Sequence, residues 1–150
     1  MDFQFAELTH SPERINVITT KLGTGAIKYT DKDVKKAVKL GDDGKSYVLA
    51  ADGDDLEGFI DNIDGGPTAG GYTVGGVARP NGGFRVRVTV AAAQATALVI
   101  KDQVVAAAQA AVGTKSLALV KAGDGVLNKY RVIRLYGNGT AGTDVLLEKI

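Results

Sequence analysis

The sequence predicts an all-β protein, a small β-barrel or jelly-roll-like β-sandwich with an extended N-terminal arm. Three observations predict this fold: around ten short apolar segments, polar turns rich in Gly and Asp between them, and 20 glycines in 150 residues. Short strands separated by such turns are typical of barrels and sandwiches. We expect residues 1–22 to form the arm or an edge strand, and residues 23–150 to form a single β-rich domain.

The first third of the chain contains one ambiguous element. Residues 30–33 have the composition of a helix cap, with Val34, Ala37 and Val38 on one helical face. The competing interpretation makes residues 33–36 a turn before a strand, and we favour it. The strands predicted in this third are residues 15–18, 37–40 and 46–49, the last two joined by a hairpin loop at 41–44.

Residues 49–77 combine turn chemistry with large apolar residues. Aspartates and Gly53 form a turn, because Asp side chains bond nearby backbone N–H groups and glycine adopts positive φ. Apolar residues follow at positions 56, 59, 60 and 63, and the sequence Gly65-Gly66-Pro67 then breaks the chain. A short strand is predicted at residues 72–74, ended by Gly75-Gly76.

Residues 84–90 give the clearest strand pattern in the chain. Apolar residues alternate with Arg85, Arg87 and Thr89, so the apolar side is predicted to face the core. The arginine side suits phosphate or carboxylate binding, but a solvated outer face is the favoured interpretation.

Residues 91–112 fit two interpretations, since their alanines favour helix and their β-branched residues favour strands. We favour strands at about 98–100 and 103–107. Further strands are predicted at residues 116–120, 130–136 and 144–150, with Tyr130, Val132 and Arg134 on a shared face of the second of these.

The charge is unevenly distributed along the chain. Residues 41–70 carry eight acidic side chains and one lysine, whereas the flanking segments are net basic and the whole chain is +1. Such asymmetry can steer self-association or docking to a complementary surface, although solvated turns also collect aspartate.

The residues give little support for catalysis, cofactor binding or metal binding. The chain has no cysteine, and its one histidine, His10, supports neither a triad nor a histidine metal site. The aspartates of residues 52–64 do not follow the EF-hand spacing, and the glycine pairs do not form a phosphate loop. We therefore expect a protein that is not an enzyme and has no cofactor.

Nucleic-acid and membrane partners are not expected either. Lys32, Lys35, Lys36 and Lys39 form a modest basic cluster, but neighbouring aspartates dilute it. No apolar run is long enough to span a bilayer, and no signal peptide is evident at the N-terminus.

Several phrases resemble the small capsid decoration, or cement, proteins of tailed bacteriophages. They are VKL at 38–40, VLAADGDDLEGFID at 48–61 and GGYTVGGV at 70–77, followed by VKAG at 120–123, YRVI at 130–133 and GTAGTDVLLE at 139–148. The resemblance covers roughly residues 37–150 and rests on structural rather than catalytic phrases.

The resemblance implies a virion structural protein on the capsid exterior, assembled in the host cytoplasm. Its implied partners are the major capsid protein and further copies of itself, as a dimer or trimer. The apolar arm supplies the candidate capsid contacts, Phe3, Phe5, Leu8 and Arg14. The alternatives are a head-fibre or tail-associated module that binds a receptor or glycan through tyrosines, and a small hydrolase using two of Asp52, Asp55, Glu57 and Asp61.

Overall fold

The computed structural model describes residues 15–23, 27–64, 73–125 and 127–150. These residues form ten strands and one 3-10 turn at Asp31–Asp33. The strands are β1 Ile15–Leu22, β2 Ala37–Leu40, β3 Ser46–Leu49, β4 Gly58–Asp64, β5 Thr73–Pro80, β6 Arg85–Val90, β7 Gln103–Ala106, β8 Leu119–Ala122, β9 Tyr130–Leu135 and β10 Asp144–Lys149.

The strands close into two barrels of five strands each. Barrel 1 has the order β1-β3-β2-β4-β5, and barrel 2 has the order β10-β6-β8-β7-β9. The predicted all-β class and the barrel architecture are therefore confirmed. Among the described residues, no helix has the length and apolar character needed to cross a membrane.

Barrel 2 repeats the topology of barrel 1. The first strand of each barrel runs parallel to the third and antiparallel to the fifth. In both barrels the second strand pairs with the third and fourth, and the fourth pairs with the fifth. A parallel pair between first and third strands requires the same crossover in each half, so the two barrels are topologically equivalent five-stranded units.

A β-bulge lies at the same place in each barrel. In the β4–β5 pair the extra residue is Asp61, directly after the buried Ile60. In the β9–β10 pair it is Ile133, directly after the buried Val132. Because a bulge shifts the alternation of side chains, agreement in its position indicates that the two units share their register as well as their topology.

Each strand contributes a buried apolar residue at an equivalent position of its barrel. The pairs of equivalent residues, matched through strand register, are Leu22 with Val90, Val38 with Val104, Tyr47 with Val120, Ile60 with Val132 and Val77 with Leu147. These ten side chains fill the two barrel interiors, and their burial is the main source of stability.

The two barrels also share a core between them. Ala37, Phe59 and Ala78 lie side by side on β2, β4 and β5, and they belong to the same buried cluster as the interior of barrel 2. The Phe59 ring meets the Tyr130 ring edge-on at a centroid distance of 6.1 Å and stacks near Phe84 at 6.5 Å. These aromatic side chains therefore pack the two barrels against each other.

A buried ion pair fixes the loop between β7 and β8 against barrel 1. The Lys36 Nζ lies 2.5 Å from the Asp33 carboxylate, and both side chains are fully buried. Lys36 also donates to the Ala111 carbonyl, and the Gly113 N–H donates to Asp33, each at 2.8 Å. The β7–β8 loop of barrel 2 therefore supplies hydrogen-bond partners to two charged side chains that are buried in barrel 1.

Several predicted elements are confirmed. Residues 37–40 form β2, as favoured, and a capped 3-10 turn precedes it, with Thr30 as the cap. The apolar face of residues 84–90 is buried at Phe84, Val86, Val88 and Val90. Residues 103–106 form β7, and strands are present near the predicted 15–18, 46–49, 130–136 and 144–150.

Other predicted elements are wrong. Residues 98–100 are not a strand, because the Asp102 carboxylate accepts from the Val99 N–H and holds a turn. Residues 58–64, for which no strand is predicted, form β4. The strand predicted at 116–120 begins later, as β8 at Leu119. Arg134 does not share the buried face of Tyr130, since the bulge at Ile133 shifts the alternation and leaves Arg134 exposed.

Gly75 and Gly76 do not end a strand but lie inside β5. A Cβ on Gly75 would collide with the backbone carbonyl of Asn62, and one on Gly76 would collide with the Asn62 side chain. The Asn62 amide oxygen instead accepts from the Gly76 N–H at 3.1 Å. Glycine is needed here because the bulged β4 approaches β5 too closely for any side chain.

The predicted N-terminal arm falls partly outside the structure. Residues 15–22 of that segment are β1, which pairs with β5 on one side and β3 on the other. Residues 1–14 lie outside the described residues.

Candidate contact surfaces

The capsid-contact residues predicted from the sequence cannot be placed. Phe3, Phe5, Leu8 and Arg14 all lie outside the described residues. The surfaces described below therefore come from the two barrels.

Barrel 2 carries a surface that we call the arginine face. It consists of the charged outward side chains of β6, β9 and β10, which are Arg85, Arg87, Arg131, Arg134, Asp144 and Glu148. These strands are neighbours in the sheet, so period-two alternation brings their outward side chains together. The face holds four guanidinium groups and two carboxylates.

Glu148 holds two of these arginines in place. Its carboxylate lies 3.2 Å from the Arg85 Nε and 3.0 Å from the Arg131 guanidinium. The hydrogen bond from Arg131, with help from Arg85, holds the pKa of Glu148 below its usual value. Glu148 therefore stays ionised as the bridge between two cations, which orders the face.

Two further arginines meet at one aromatic ring. The guanidinium of Arg87 lies 4.1 Å from the centroid of Tyr136, and that of Arg134 lies 5.1 Å from it. Asp144 accepts from the Arg87 Nε at 2.9 Å and from the Thr89 hydroxyl at 2.8 Å. These contacts fix the direction of long side chains that would otherwise be mobile.

The two barrels use the same row of positions differently. By register, Ala37, Phe59 and Ala78 of barrel 1 correspond to Gln103, Arg131 and Glu148 of barrel 2. Barrel 1 buries its row against barrel 2, whereas barrel 2 presents charged side chains at the same place. The same row of positions therefore mediates packing in barrel 1, whereas in barrel 2 it is polar and accessible to a partner.

Gln103 adds one unusual feature to this row. Among the described residues, its Oε1 is a buried acceptor with no hydrogen-bond partner. A buried acceptor without a donor is costly and calls for an explanation such as an incoming group.

Barrel 1 carries the acidic side chains of residues 41–70, and two of them form ion pairs. Asp54 pairs with Lys39 at 2.7 Å, and Asp52 pairs with Lys121 of barrel 2 at 2.6 Å. The hydrogen bond to Asp54 raises the pKa of Lys39. Acidic groups outnumber bases in residues 41–70, so the net charge of this segment remains negative after these pairings.

The basic cluster noted in the sequence divides into two parts. Lys36 and Lys39 are paired with aspartates, as described above. Lys32 and Lys35 instead line a groove of about 360 Å³ between the barrels, which we call the lysine groove. Its other lining residues are Asp31, Val34, Lys115, Ser116 and Leu117.

The tyrosines expected of a glycan-binding module do not cluster on the described surface. Tyr29, Tyr47 and Tyr130 are buried, and Tyr136 is covered by two arginines. Tyr72 lies outside the described residues.

Two of the four carboxylates proposed for a hydrolase bind other groups of the chain. Asp52 pairs with Lys121, and an Asp55 oxygen accepts from the Leu127 N–H at 3.1 Å. In the part of the chain that the structure describes, no group of three His, Cys, Asp or Glu residues is arranged to hold a metal ion.

The sequence analysis identified one side of the arginine face and missed the rest. The alternation at Arg85 and Arg87 placed them outward, which the structure confirms. Arg131 and Arg134 were not linked to them, because strand pairing between distant segments is not visible in local periodicity. The charged residues that flank apolar ones in residues 131–134 and 144–148 were the available signal.

Comparisons of the chain with family models, with curated proteins and with solved structures found no match.

Proposed function

We propose that this protein is a capsid decoration protein. It binds the outer surface of a tailed-phage head without catalysing a reaction and stabilises contacts between major capsid subunits. The arginine face is the observation that carries this proposal, together with the family resemblance of the sequence phrases.

The arginine face has the properties of a docking surface. Its guanidinium groups are oriented by Glu148, Asp144 and Tyr136 before any partner arrives, so little side-chain entropy is lost on binding. Arginine forms bidentate bonds with carboxylates, which suits an acidic patch on a shell protein.

The connection between the two barrels is also suited to a protein that holds neighbouring capsid subunits together. The shared core and the Asp33–Lys36 pair join them, so a load applied to one barrel reaches the other. Weak contacts repeated over a symmetric shell reinforce one another through avidity, so no single interface has to be strong.

The test is co-sedimentation of the purified protein with undecorated capsids of its own phage, with a readout of stoichiometry. We expect saturable binding at a fixed ratio to the major capsid protein, and capsids that resist disruption better. The variant Arg131→Glu/Arg134→Glu should weaken binding by at least about tenfold, because two outward cations become anions.

Lys28→Glu/Lys129→Glu is the matched control, since it changes the net charge equally at exposed sites outside the arginine face. Absence of wild-type binding by a folded protein would overturn the proposal and favour the fibre or tail module. Equal binding by both variants would remove the arginine face from the interface.

A further inference from the structure

The lysine groove is a basic site in which lysines outnumber acidic residues. Lys32, Lys35 and Lys115 line it, and in the described structure none of the three forms an ion pair with a carboxylate. Asp31 is the one acidic residue among the described residues of the lining, so the groove keeps a surplus of positive charge. Val34 and Leu117 add apolar surface, and the groove's volume of about 360 Å³ lies within the usual range of binding sites, ~300–1,000 Å³.

The hairpin loop between β2 and β3 carries acidic side chains at its tip. Asp42 and Asp43 lie at its exposed tip, which we call the acidic tip. Asp43 accepts hydrogen bonds from the N–H groups of Lys45 and Ser46, both at 2.9 Å, and from the Ser46 hydroxyl at 2.7 Å. These bonds hold the tip in one conformation and keep its charge in a fixed place.

We propose that the acidic tip of one copy of this chain binds the lysine groove of a second copy. The tip supplies two carboxylates to three lysines that have none, and the contact leaves the arginine face free for another partner. Each copy has one groove and one tip, so the assembly closes when every tip is bound, as a two-fold dimer or as a ring.

Two features favour a second copy as the occupant. The complementary charges lie on a single chain, with two aspartates and one lysine in residues 41–45, and three lysines and one aspartate around the groove. The tip is also short and rigid, so it enters a groove without the ordering cost of a flexible segment.

The experiment measures the mass of the purified full chain in solution by sedimentation or light scattering, without capsids. At low salt we expect a mass at least twice the 15.5 kDa of one chain, falling toward one chain at high salt. Lys32→Glu/Lys35→Glu/Lys115→Glu and Asp42→Lys should each be monomeric, because each places like charges in the contact, and Asp43 is kept because its hydrogen bonds hold the tip.

An equimolar mixture of the two variants provides the decisive measurement. Every tip in the mixture then finds a groove of opposite charge on the other variant, so mixed assemblies should form. Lys28→Glu/Lys101→Glu/Lys129→Glu is the control for the groove variant and should associate like the wild type.

A wild-type chain that is monomeric at low salt would overturn the proposal. So would groove and tip variants that associate normally, or a mixture of folded variants that fails to restore association. Circular dichroism of each variant establishes that it is folded, so that loss of association is not loss of structure.

Discussion

Lys35 and Lys101 occupy the same place in the two barrels and share an unusual backbone conformation. Their φ angles are 86° and 79°, and they are the two non-glycine residues with positive φ among the described residues. The N–H of Lys35 donates to Ile60 and that of Lys101 donates to Val132, both at 2.8 Å. The equivalence of the two barrels therefore extends to a backbone conformation that costs energy at the same hydrogen bond in each.

The strain at Lys101 predicts the effect of two substitutions. Lys101→Gly should raise the free energy of unfolding by about 0.5 kcal/mol, since relief of the left-handed conformation outweighs the entropy that glycine loses. Lys101→Val should lower it by about 1–2 kcal/mol, because a β-branched residue tolerates positive φ poorly. Urea denaturation measures both, and Lys129→Gly, at a residue without positive φ, should be destabilising. A loss of stability in Lys101→Gly would contradict the strain argument.

The buried hydroxyl of Tyr130 predicts a stabilising substitution. The side chain is fully buried, burial raises its pKa well above the usual value, and its hydroxyl has no partner among the described residues. Tyr130→Phe keeps the edge-on contact with Phe59 and removes an unpaired polar group, so stability should rise by about 1 kcal/mol. Thermal unfolding compares it with Tyr136→Phe, a change on the arginine face that should be neutral. Destabilisation by Tyr130→Phe would show that the hydroxyl has a partner.

The Asp33–Lys36 pair should behave as a unit. Lys36→Met leaves a buried carboxylate without its cation and should cost about 3 kcal/mol or more. Lys36→Met/Asp33→Asn should cost clearly less than the sum of the two single changes. A double-mutant cycle in guanidinium chloride measures this coupling. Lys39→Met, which breaks a partly exposed pair, serves as the control and should cost less than about 1 kcal/mol. Additive effects at Asp33 and Lys36 would refute the coupling.

Asp43 predicts a specific acid sensitivity. Hydrogen bonds from the backbone of Lys45 and Ser46 lower its pKa from 3.8 to about 2. Because the folded pKa lies below the unfolded one, the stabilisation is complete above pH 3.8 and is lost as pH falls towards 2. Asp43→Asn should therefore be less stable than wild type at neutral pH, and the difference should shrink in that acid range.

Urea midpoints measured from pH 6 down to the acid range check the prediction for Asp43. Asp42→Asn is the control, because it removes a carboxylate from the same hairpin tip and leaves in place the hydrogen bonds that Asp43 accepts. A constant difference between wild type and Asp43→Asn across the range would exclude the proposed linkage.

Removal of residues 1–12 tests the predicted arm. The deletion should weaken capsid binding and leave both barrels folded, because β1 begins at Ile15. Capsid co-sedimentation and circular dichroism measure the two properties on the same sample. An unfolded product, or unchanged capsid binding, would count against an arm role for Phe3, Phe5 and Leu8.

The equivalence of the two barrels escaped the sequence analysis for a physical reason. Equivalent positions have exchanged residues of very different size and charge, as Gly58 and Tyr130 show. The loops also differ in length, since the β2–β3 turn is a short hairpin and the β7–β8 loop extends to barrel 1. The remaining sequence signal of this equivalence was an Asp-Gly pair after the third strand of each barrel, at residues 52–53 and 124–125.

The sequence by itself determined the all-β class, the position of most strands and the buried side of β6. These properties depend on alternation and turn chemistry within a few residues, which local sequence records. Only the tertiary structure decided that the strands close into two equivalent barrels, that Phe59 is buried where Arg131 is exposed, and that Lys32, Lys35 and Lys115 line one groove. Such properties depend on pairing between segments far apart in the chain, and no local pattern specifies which segments pair.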